Sequence, residues 1–179
     1  MDNPNYILTK ARTVASQMAA LDGIEAIVLG GSRSKHVHDL SSDIDIYCFY
    51  SRFPDYTRKM NALSALIDKS RTAIVSKKQG EWGWWDGGAV FWLDGTLVEL
   101  SHRKVSSINS HIRRLLKGKY GFHPEGDTIF GCYTYGLLAD IQNAIILYDP
   151  KKIVHSWKKT FRVYPPKLRN KLIQDHLFG

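Results

Sequence analysis

The stretch GGSRSKHVHDLSSDIDIYCFY, residues 30–50, places Asp43 and Asp45 inside a run that otherwise has the apolar pattern of a buried strand. Neighbouring carboxylates are costly to bury unless a positive charge accompanies them. Alternate side chains share one face of a strand, so both aspartates are expected on one face, with Ile44 and Ile46 turned into a core. The stretch therefore predicts either a pair of metal-ligating acids or two acids that face solvent on a half-exposed strand.

The turn that precedes the aspartates favours the first interpretation. Gly30-Gly31-Ser32 follows a predicted strand and offers backbone N–H groups and a hydroxyl, which together could cradle a phosphate. Arg33 and Lys35 add positive charge beside it. The turn is neither a P-loop nor a dinucleotide-binding fingerprint, because it lacks the Gly-Lys-Ser/Thr ending of the first and the GxGxxG spacing of the second. Mg²⁺ binds oxygen ligands and commonly joins carboxylates to substrate phosphates.

A third acid is expected from the hairpin over residues 89–100. If Asp94-Gly95 is a two-residue turn, Leu93 pairs with Thr96 and Val90 pairs with Glu99. Glu99 lies between Val98 and Leu100 in a predicted strand, where a carboxylate indicates a functional role. Asp94 is the rival candidate, but an aspartate before glycine is what such a turn requires, so Glu99 is preferred.

Hydrophobic periodicity predicts an α+β fold, a mixed β-sheet with flanking helices and further helices at the C-terminal end. Strands are predicted at residues 24–29, 43–50 and 72–76 and in the 89–100 hairpin. Helices are predicted at 5–20, 54–69, 105–117, 133–148, 152–160 and 167–177.

The composition is that of a soluble globular chain, and its basicity is concentrated at one end. The net charge is +8, of which +7 falls after residue 150. That segment predicts either a phosphate-rich or acidic partner, or simply a solvated face or a surface that meets an acidic domain. The N-terminus does not have the pattern of a signal peptide, and Cys48 and Cys132 form no disulfide framework or zinc site, so a reducing cytoplasm is expected. Cys48 is expected to be a small core residue.

The combined pattern resembles the DNA polymerase β-like nucleotidyltransferase superfamily. The phrases GGSRS (30–34) and SSDIDIYCFY (41–50), followed by the hydrophobic-Glu-hydrophobic strand around Glu99, look most like the antibiotic nucleotidyltransferase branch, which includes aminoglycoside and lincosamide enzymes. IILYDP (145–150) is similar to the segment that follows the catalytic domain in that branch. The resemblance covers residues 24–100.

The resemblance implies a polymerase β-like catalytic domain over residues 1–130. It implies that Asp43, Asp45 and Glu99 hold two Mg²⁺ ions and that NTP, with ATP expected, is the co-substrate. The phosphates would be bound by Gly30, Gly31, Ser32 and Ser42, with Arg33 neutralising the leaving pyrophosphate. The acceptor oxygen would attack the α-phosphorus in line, and positioning and charge stabilisation would supply most of the catalysis.

Residues 131–179 would be a C-terminal helical segment, which departs from the larger helical domain of two-domain members. The chain would then be a minimal enzyme, a homodimer or a fragment that lacks a further domain. The expected acceptor is a small molecule such as an aminoglycoside or lincosamide, with no membrane partner and no nucleic acid. The alternatives are a nucleotidyltransferase that acts on RNA or protein, and a non-catalytic nucleotide-binding module of the toxin–antitoxin type.

Several further residues are weighed near the predicted site. Trp84, Trp85 and Asp86 lie in the glycine-rich loop GEWGWWDGG (80–88), where they could bind the acceptor or simply pack and turn the chain. The spacing of His36 and His38 is too weak to indicate a metal site. His102 is expected at the edge of the cleft, without an assigned role.

Overall fold

Up to residue 117 the elements follow the predicted order of strands and helices, and beyond it the structure has three short strands that were not predicted, Phe122–His123, Cys132–Tyr133 and Ile145–Tyr148. A computed structural model describes residues 4–34, 42–82, 85–123 and 132–177. Its helices are α1 (Pro4–Ala19), α2 (Gly31–Ser34), α3 (Tyr56–Ser64), α4 (Val105–Leu116), α5 (Gly136–Asn143), α6 (Ile153–Thr160) and α7 (Pro166–Leu177). Its strands are β1 (Ile24–Leu29), β2 (Ile44–Tyr50), β3 (Ile74–Val75), β4 (Gly87–Leu93), β5 (Thr96–Lys104), β6 (Phe122–His123), β7 (Cys132–Tyr133) and β8 (Ile145–Tyr148).

Six of the strands form one open mixed sheet in the order β3-β4-β5-β2-β1-β8. The central pair, β2 and β5, is parallel, and the other pairs in the sheet are antiparallel. The short strands β6 and β7 pair separately. The predicted α+β class with a mixed sheet and flanking helices is confirmed.

Each face of the sheet is covered by its own set of helices. On one face α1 and α3 pack against β2 residues such as Ile44 and Ile46, both fully buried, and Cys48 is buried in the same core as predicted. On the other face α4, α5, α6 and α7 form a second core that includes Val28 and Phe49. The helices after residue 131 thus share a core with β1 and β2.

The hairpin between β4 and β5 has the predicted register. Asp94 and Gly95 both adopt positive φ, 46° and 75°, which closes a two-residue turn. Leu93 then faces Thr96, and Val90 faces Glu99, as expected. The strands run farther than the predicted 89–100, to Gly87 and Lys104. The turn therefore determines which β5 side chains share a face with β4.

The predicted helix over residues 133–148 is wrong at both ends, since Tyr133 belongs to β7 and the helix begins only at Gly136. The helix ends at Asn143, Ala144 turns to an extended conformation (φ −54°, ψ 136°), and Ile145–Tyr148 forms the edge strand β8. β8 pairs with β1, whose outer edge would otherwise lack a partner on that side. Pairing across the sheet overrides the helical spacing of the apolar residues here.

Smaller differences concern element ends. α3 stops at Ser64 rather than near residue 69, and β3 comprises only Ile74 and Val75. The predicted start of α3 is confirmed, since the Asp55 side chain accepts a hydrogen bond from the Arg58 N–H (3.0 Å). No helix in the part of the chain that the structure describes is long and apolar enough to cross a membrane.

Candidate metal centre

The three predicted acids meet at one end of the parallel strand pair. β2 and β5 align so that the Cα atoms of Asp45 and Glu99 are direct partners, and Asp43 lies two residues before Asp45. One carboxylate oxygen from each of the three residues lies within 4.8 Å of the others. The prediction that both aspartates share a face, and that Glu99 reaches the same point, is confirmed. Asp94, the rival third acid, is exposed in the hairpin turn.

Burial of the opposite face sets this alignment. Ile44 pairs with Val98 and Ile46 pairs with Leu100, and all four side chains are fully buried. A shift of one residue in either strand would turn acids into the core, so the register is strongly specified. The aspartates themselves are only half-buried, which leaves their oxygens accessible from solvent.

The donor set fits a hard divalent cation. Three carboxylates within 4.8 Å repel one another in their ionised form unless positive charge or hydrogen-bond donors accompany them. Mg²⁺ binds oxygen ligands and completes its shell with water and substrate phosphates, which a half-buried acid cluster allows. Asp43, Asp45 and Glu99 could therefore hold a metal ion.

The Gly30-Gly31 turn lies directly against the acids. The Gly30 N–H donates to the Asp45 carbonyl (2.9 Å), and Gly31 has a positive φ of 60°. A Cβ at Gly31 would lie 2.5 Å from Asp45 Cγ, and one at Gly30 would lie 2.8 Å from Tyr47 Cζ. Both positions must therefore be glycine for β2 to present Asp45 and Tyr47 on this face.

Ser32 belongs to the single helical turn α2, and it is half-buried. The turn is closed by the Ser34 hydroxyl, which donates to the Gly31 carbonyl (2.9 Å). The predicted phosphate-binding residues Gly30, Gly31 and Ser32 are thus adjacent to the acid cluster. Their role toward a nucleotide stays a prediction.

Arg33 has a structural task that the sequence did not indicate. Its side chain is buried, Nε donates to the Asp43 carbonyl (2.7 Å), and Nη2 donates to the Ser42 carbonyl. Arg33 therefore holds the chain that enters β2 and positions Asp43. The buried Nη1 has no hydrogen-bond partner among the described residues. The contact of Arg33 with pyrophosphate stays a prediction, as does the role of Ser42 in phosphate binding.

An aromatic pair extends the acid face along β2. Tyr47, two residues after Asp45, stacks on Trp85 with ring centroids 5.2 Å apart and planes at 18°. Arg103 on β5 lies over the Trp85 ring, 5.1 Å from its centroid. Sequence reasoning missed Tyr47, although strand alternation places it beside the aspartates.

Trp85 and Asp86, both proposed for acceptor binding, differ in what they contact. Trp85 belongs to the stacked pair, whereas the Asp86 carboxylate accepts a hydrogen bond from the Lys104 N–H (3.0 Å) and so ties its loop to the end of β5. Trp84, His36 and His38 lie outside the described residues.

A narrow crevice lies beside the aromatic pair, and its volume of about 30 Å³ leaves room for about two water molecules. Its walls are mainly apolar, from Phe49, Ile141 and Trp157, with Arg103 and Asp140 as the charged members. The crevice therefore adjoins the acid face through Tyr47.

His102 was expected at the cleft edge, and this expectation is wrong. Its side chain is fully buried, 5.5 Å from the Phe53 ring, on the core face of β5 opposite Cys48. Burial lowers the pKa of His102 to about 3, and the nearby Lys59 ammonium acts in the same direction. Glu99 and His102 differ by an odd number of positions, so strand alternation directs them to opposite faces.

A scan against protein-family models finds no match for this chain, and a comparison with curated proteins finds none either. The fold class and the acid cluster therefore carry the functional argument.

Proposed function

We propose that this chain is a Mg²⁺-dependent nucleotidyltransferase with a polymerase β-like fold, which transfers a nucleoside monophosphate from NTP to a hydroxyl of a small-molecule acceptor. One observation carries the proposal: three carboxylates on adjacent parallel strands bring oxygens within 4.8 Å of one another, directly beside a Gly-Gly turn. Phosphoryl-transfer sites commonly combine such acids with a phosphate-binding turn.

The strand order supports a division of the site into two sides. β2 lies between β1, whose end carries the Gly30-Gly31 turn, and β5, which carries Glu99. The triphosphate would bind on the β1 side, where the backbone N–H groups of Gly31 and Ser32 can donate to its oxygens. The acceptor hydroxyl would approach from the β5 side, next to Glu99.

In the proposed reaction the acceptor oxygen attacks the α-phosphorus, and the bond from that phosphorus to pyrophosphate breaks. The hydroxyl proton leaves with solvent or passes to Glu99, so the products are the nucleotidylated acceptor and pyrophosphate. Asp43, Asp45 and Glu99 would hold Mg²⁺, which neutralises phosphate charge and lowers the pKa of the hydroxyl. Arg33 keeps Asp43 in place through the carbonyls of residues 42 and 43.

The surroundings support a ring-bearing small acceptor such as an aminoglycoside or a lincosamide. The stacked pair of Tyr47 and Trp85 lies on the acid face, where a ring of the acceptor can pack against it.

The test is incubation with labelled NTPs and Mg²⁺ across aminoglycosides, lincosamides, tRNA and proteins, with products identified by mass. We expect a nucleotidylated small molecule from the wild type and at least a hundredfold less from Asp45→Asn, since even residues behind metal ligands cost about 10–100-fold. Asp94→Asn is the matched control, because it changes an exposed turn acid of the same type. Absence of any product together with absence of Mg²⁺-dependent NTP binding would overturn the proposal, and a tRNA or protein product would overturn the acceptor class.

A further inference from the structure

A cluster of aromatic rings lies away from the acid face, where β6 and β7 meet α7. It comprises Tyr120, Phe122, Tyr133, Tyr135 and His176. Tyr133 stacks on Tyr135 with centroids 5.1 Å apart and planes at 11°, and it contacts Phe122 at 5.0 Å. Phe122 is 48% exposed and Tyr133 is 40% exposed, so the cluster presents two large rings to solvent. The neighbouring rings pack against Phe122 and Tyr133 but leave both side chains partly exposed.

The end of α7 contacts this cluster, and the start of α7 lies against the turn after α4. The Tyr120 hydroxyl donates to Asp175 on α7 (2.7 Å), and the His176 ring lies 6.0 Å from that of Tyr133. A Cβ at Gly118, just after α4, would lie 2.8 Å from the Lys167 carbonyl. The turn after α4, which leads into Tyr120, is therefore part of one surface with the rings and α7.

The elements next to the rings carry mainly basic side chains. Seven basic residues, all exposed, lie on α4, α7 and the turn after α4. Six of them form no ion pair with the rest of the described chain: Arg113, Arg114, Lys117, Lys119, Lys167 and Arg169. The seventh, Lys171, is paired with Asp175, the one acid in residues 105–123 and 166–177. Even if the two acids in the sequence of residues 124–131, Glu125 and Asp127, are counted, the seven basic residues outnumber the acids.

We propose that this surface, called here the basic aromatic surface, binds single-stranded nucleic acid. Unpaired bases stack on exposed rings, and the cations around the rings contact the phosphates. A duplex offers phosphates but hides its base faces, so it would leave Phe122 and Tyr133 exposed. A ring-free polyanion would use the cations alone. Charge and exposed rings occur together here, and single-stranded nucleic acid matches both.

This inference does not depend on the proposed reaction, because no residue of the surface belongs to the acid cluster. It changes the interpretation of the basic C-terminal segment, whose cations on α7 join those at the end of α4. It also differs from the expectation that nucleic acid is not a partner.

The experiment measures fluorescence anisotropy of a labelled single strand of about 12 nucleotides, a typical site length for ring-based binding. Duplex DNA, heparin and polyglutamate serve as competitors over a series of salt concentrations. Phe122→Leu/Tyr133→Leu removes the rings but keeps apolar volume, and Lys117→Gln/Lys119→Gln removes exposed charge without touching the core. Lys77→Gln/Lys78→Gln is the matched control, since both lysines are exposed elsewhere on the chain.

We expect the ring variant to bind at least about fivefold more weakly, because stacking contributes at least that much per base. The Lys117/Lys119 variant should bind more weakly, and its salt slope should be less steep by about 0.7 for each phosphate that it no longer neutralises. The Lys77/Lys78 control should match the wild type. The proposal would be overturned if duplex and heparin competed equally well and the ring variant were unaffected. It would also be overturned if the protein preferred polyglutamate, or if it did not bind the single strand at low salt.

Discussion

The two faces of β2 show how one strand serves packing on one side and chemistry on the other. Ile44 and Ile46 are fully buried under α1 and α3, whereas Asp45 and Tyr47, which alternate with them, are half-buried. The helices cover the second face of β2 unevenly. Phe49 belongs to the core under the C-terminal helices, whereas Asp45, near the start of the strand, is half-buried and is not part of that core.

The acid face depends on the core face. Burial of Ile44 and Ile46 beside Val98 and Leu100 determines the β2–β5 register, and that register brings Asp45 beside Glu99. Side chains on the core face should therefore control stability, and those on the acid face should control ligand binding and turnover. The predictions below test that separation.

The largest effect is expected from Gly31→Ala. The added Cβ would overlap the Asp45 carboxylate, so Mg²⁺ binding and turnover should fall at least about a hundredfold. Gly95→Ala is the control, because Gly95 also has positive φ but nothing lies within 4 Å of an added Cβ. Metal binding measured by calorimetry and denaturant unfolding of both variants distinguish the effect of backbone strain from the effect of displacing the Asp45 carboxylate. A Gly31→Ala variant that binds Mg²⁺ like the wild type would show that the acid face tolerates movement of Asp45.

Ile46→Ala should affect stability instead. Removing this fully buried side chain should lower the free energy of unfolding by about 2–5 kcal/mol while the folded fraction still binds Mg²⁺. Asp45→Asn, its neighbour on the other face, should destabilise the fold by less and lose metal binding. Denaturant unfolding with parallel calorimetry checks both. Loss of metal binding in Ile46→Ala at full folding would mean that the faces are not separable.

Acid should weaken the core face through His102. Its pKa is lowered to about 3 by burial, against 6.5 in its ordinary state, so between these values the unfolded chain takes up a proton that the folded chain excludes. The contribution of the neutral His102 to the free energy of unfolding is complete above about pH 6.5 and is lost as pH falls toward 3. The free energy of unfolding changes over this range by up to about 1.4 kcal/mol per pH unit.

Denaturant unfolding at a series of pH values checks this, with His102→Leu expected to flatten the slope. His176→Gln removes an exposed imidazole and serves as the control. An unchanged pH profile in His102→Leu would assign the acid sensitivity to other groups.

The smallest effect is expected from the aromatic pair on the acid face. A double-mutant cycle of Tyr47→Leu and Trp85→Leu should give a coupling of about 0.5–1.5 kcal/mol, because the rings stack at 5.2 Å. A cycle of Tyr47→Leu with Trp92→Leu should be additive, since Trp92 is instead stacked by Arg71. Zero coupling in the first cycle would indicate that the acid face is less ordered than the core face.

Local patterns predicted much of the fold. The Asp94-Gly95 turn predicted the register of the hairpin, because a two-residue turn leaves only one pairing. Alternation predicted the shared face of Asp43 and Asp45, because the period of a strand is two. Both rules act over a few residues.

Predictions that needed distant partners were less successful. Residues 145–148 have helical spacing with the preceding apolar residues, but they form β8 because β1 offers an edge to pair with. Arg33 was interpreted by its charge alone, whereas the folded chain directs it to the carbonyls of residues 42 and 43. Tyr47 was overlooked because its partner Trp85 is distant in sequence.

The acid types, their alternation in β2 and the glycines that allow the turn beside them can all be recognised in the chain without its fold. Only the tertiary structure decided that β2 pairs in parallel with β5, which aligns Asp45 with Glu99 across more than fifty residues of chain. That pairing follows from burying the apolar sides of both strands in one core, and such a contact has no local signal because it is made only when the whole sheet assembles.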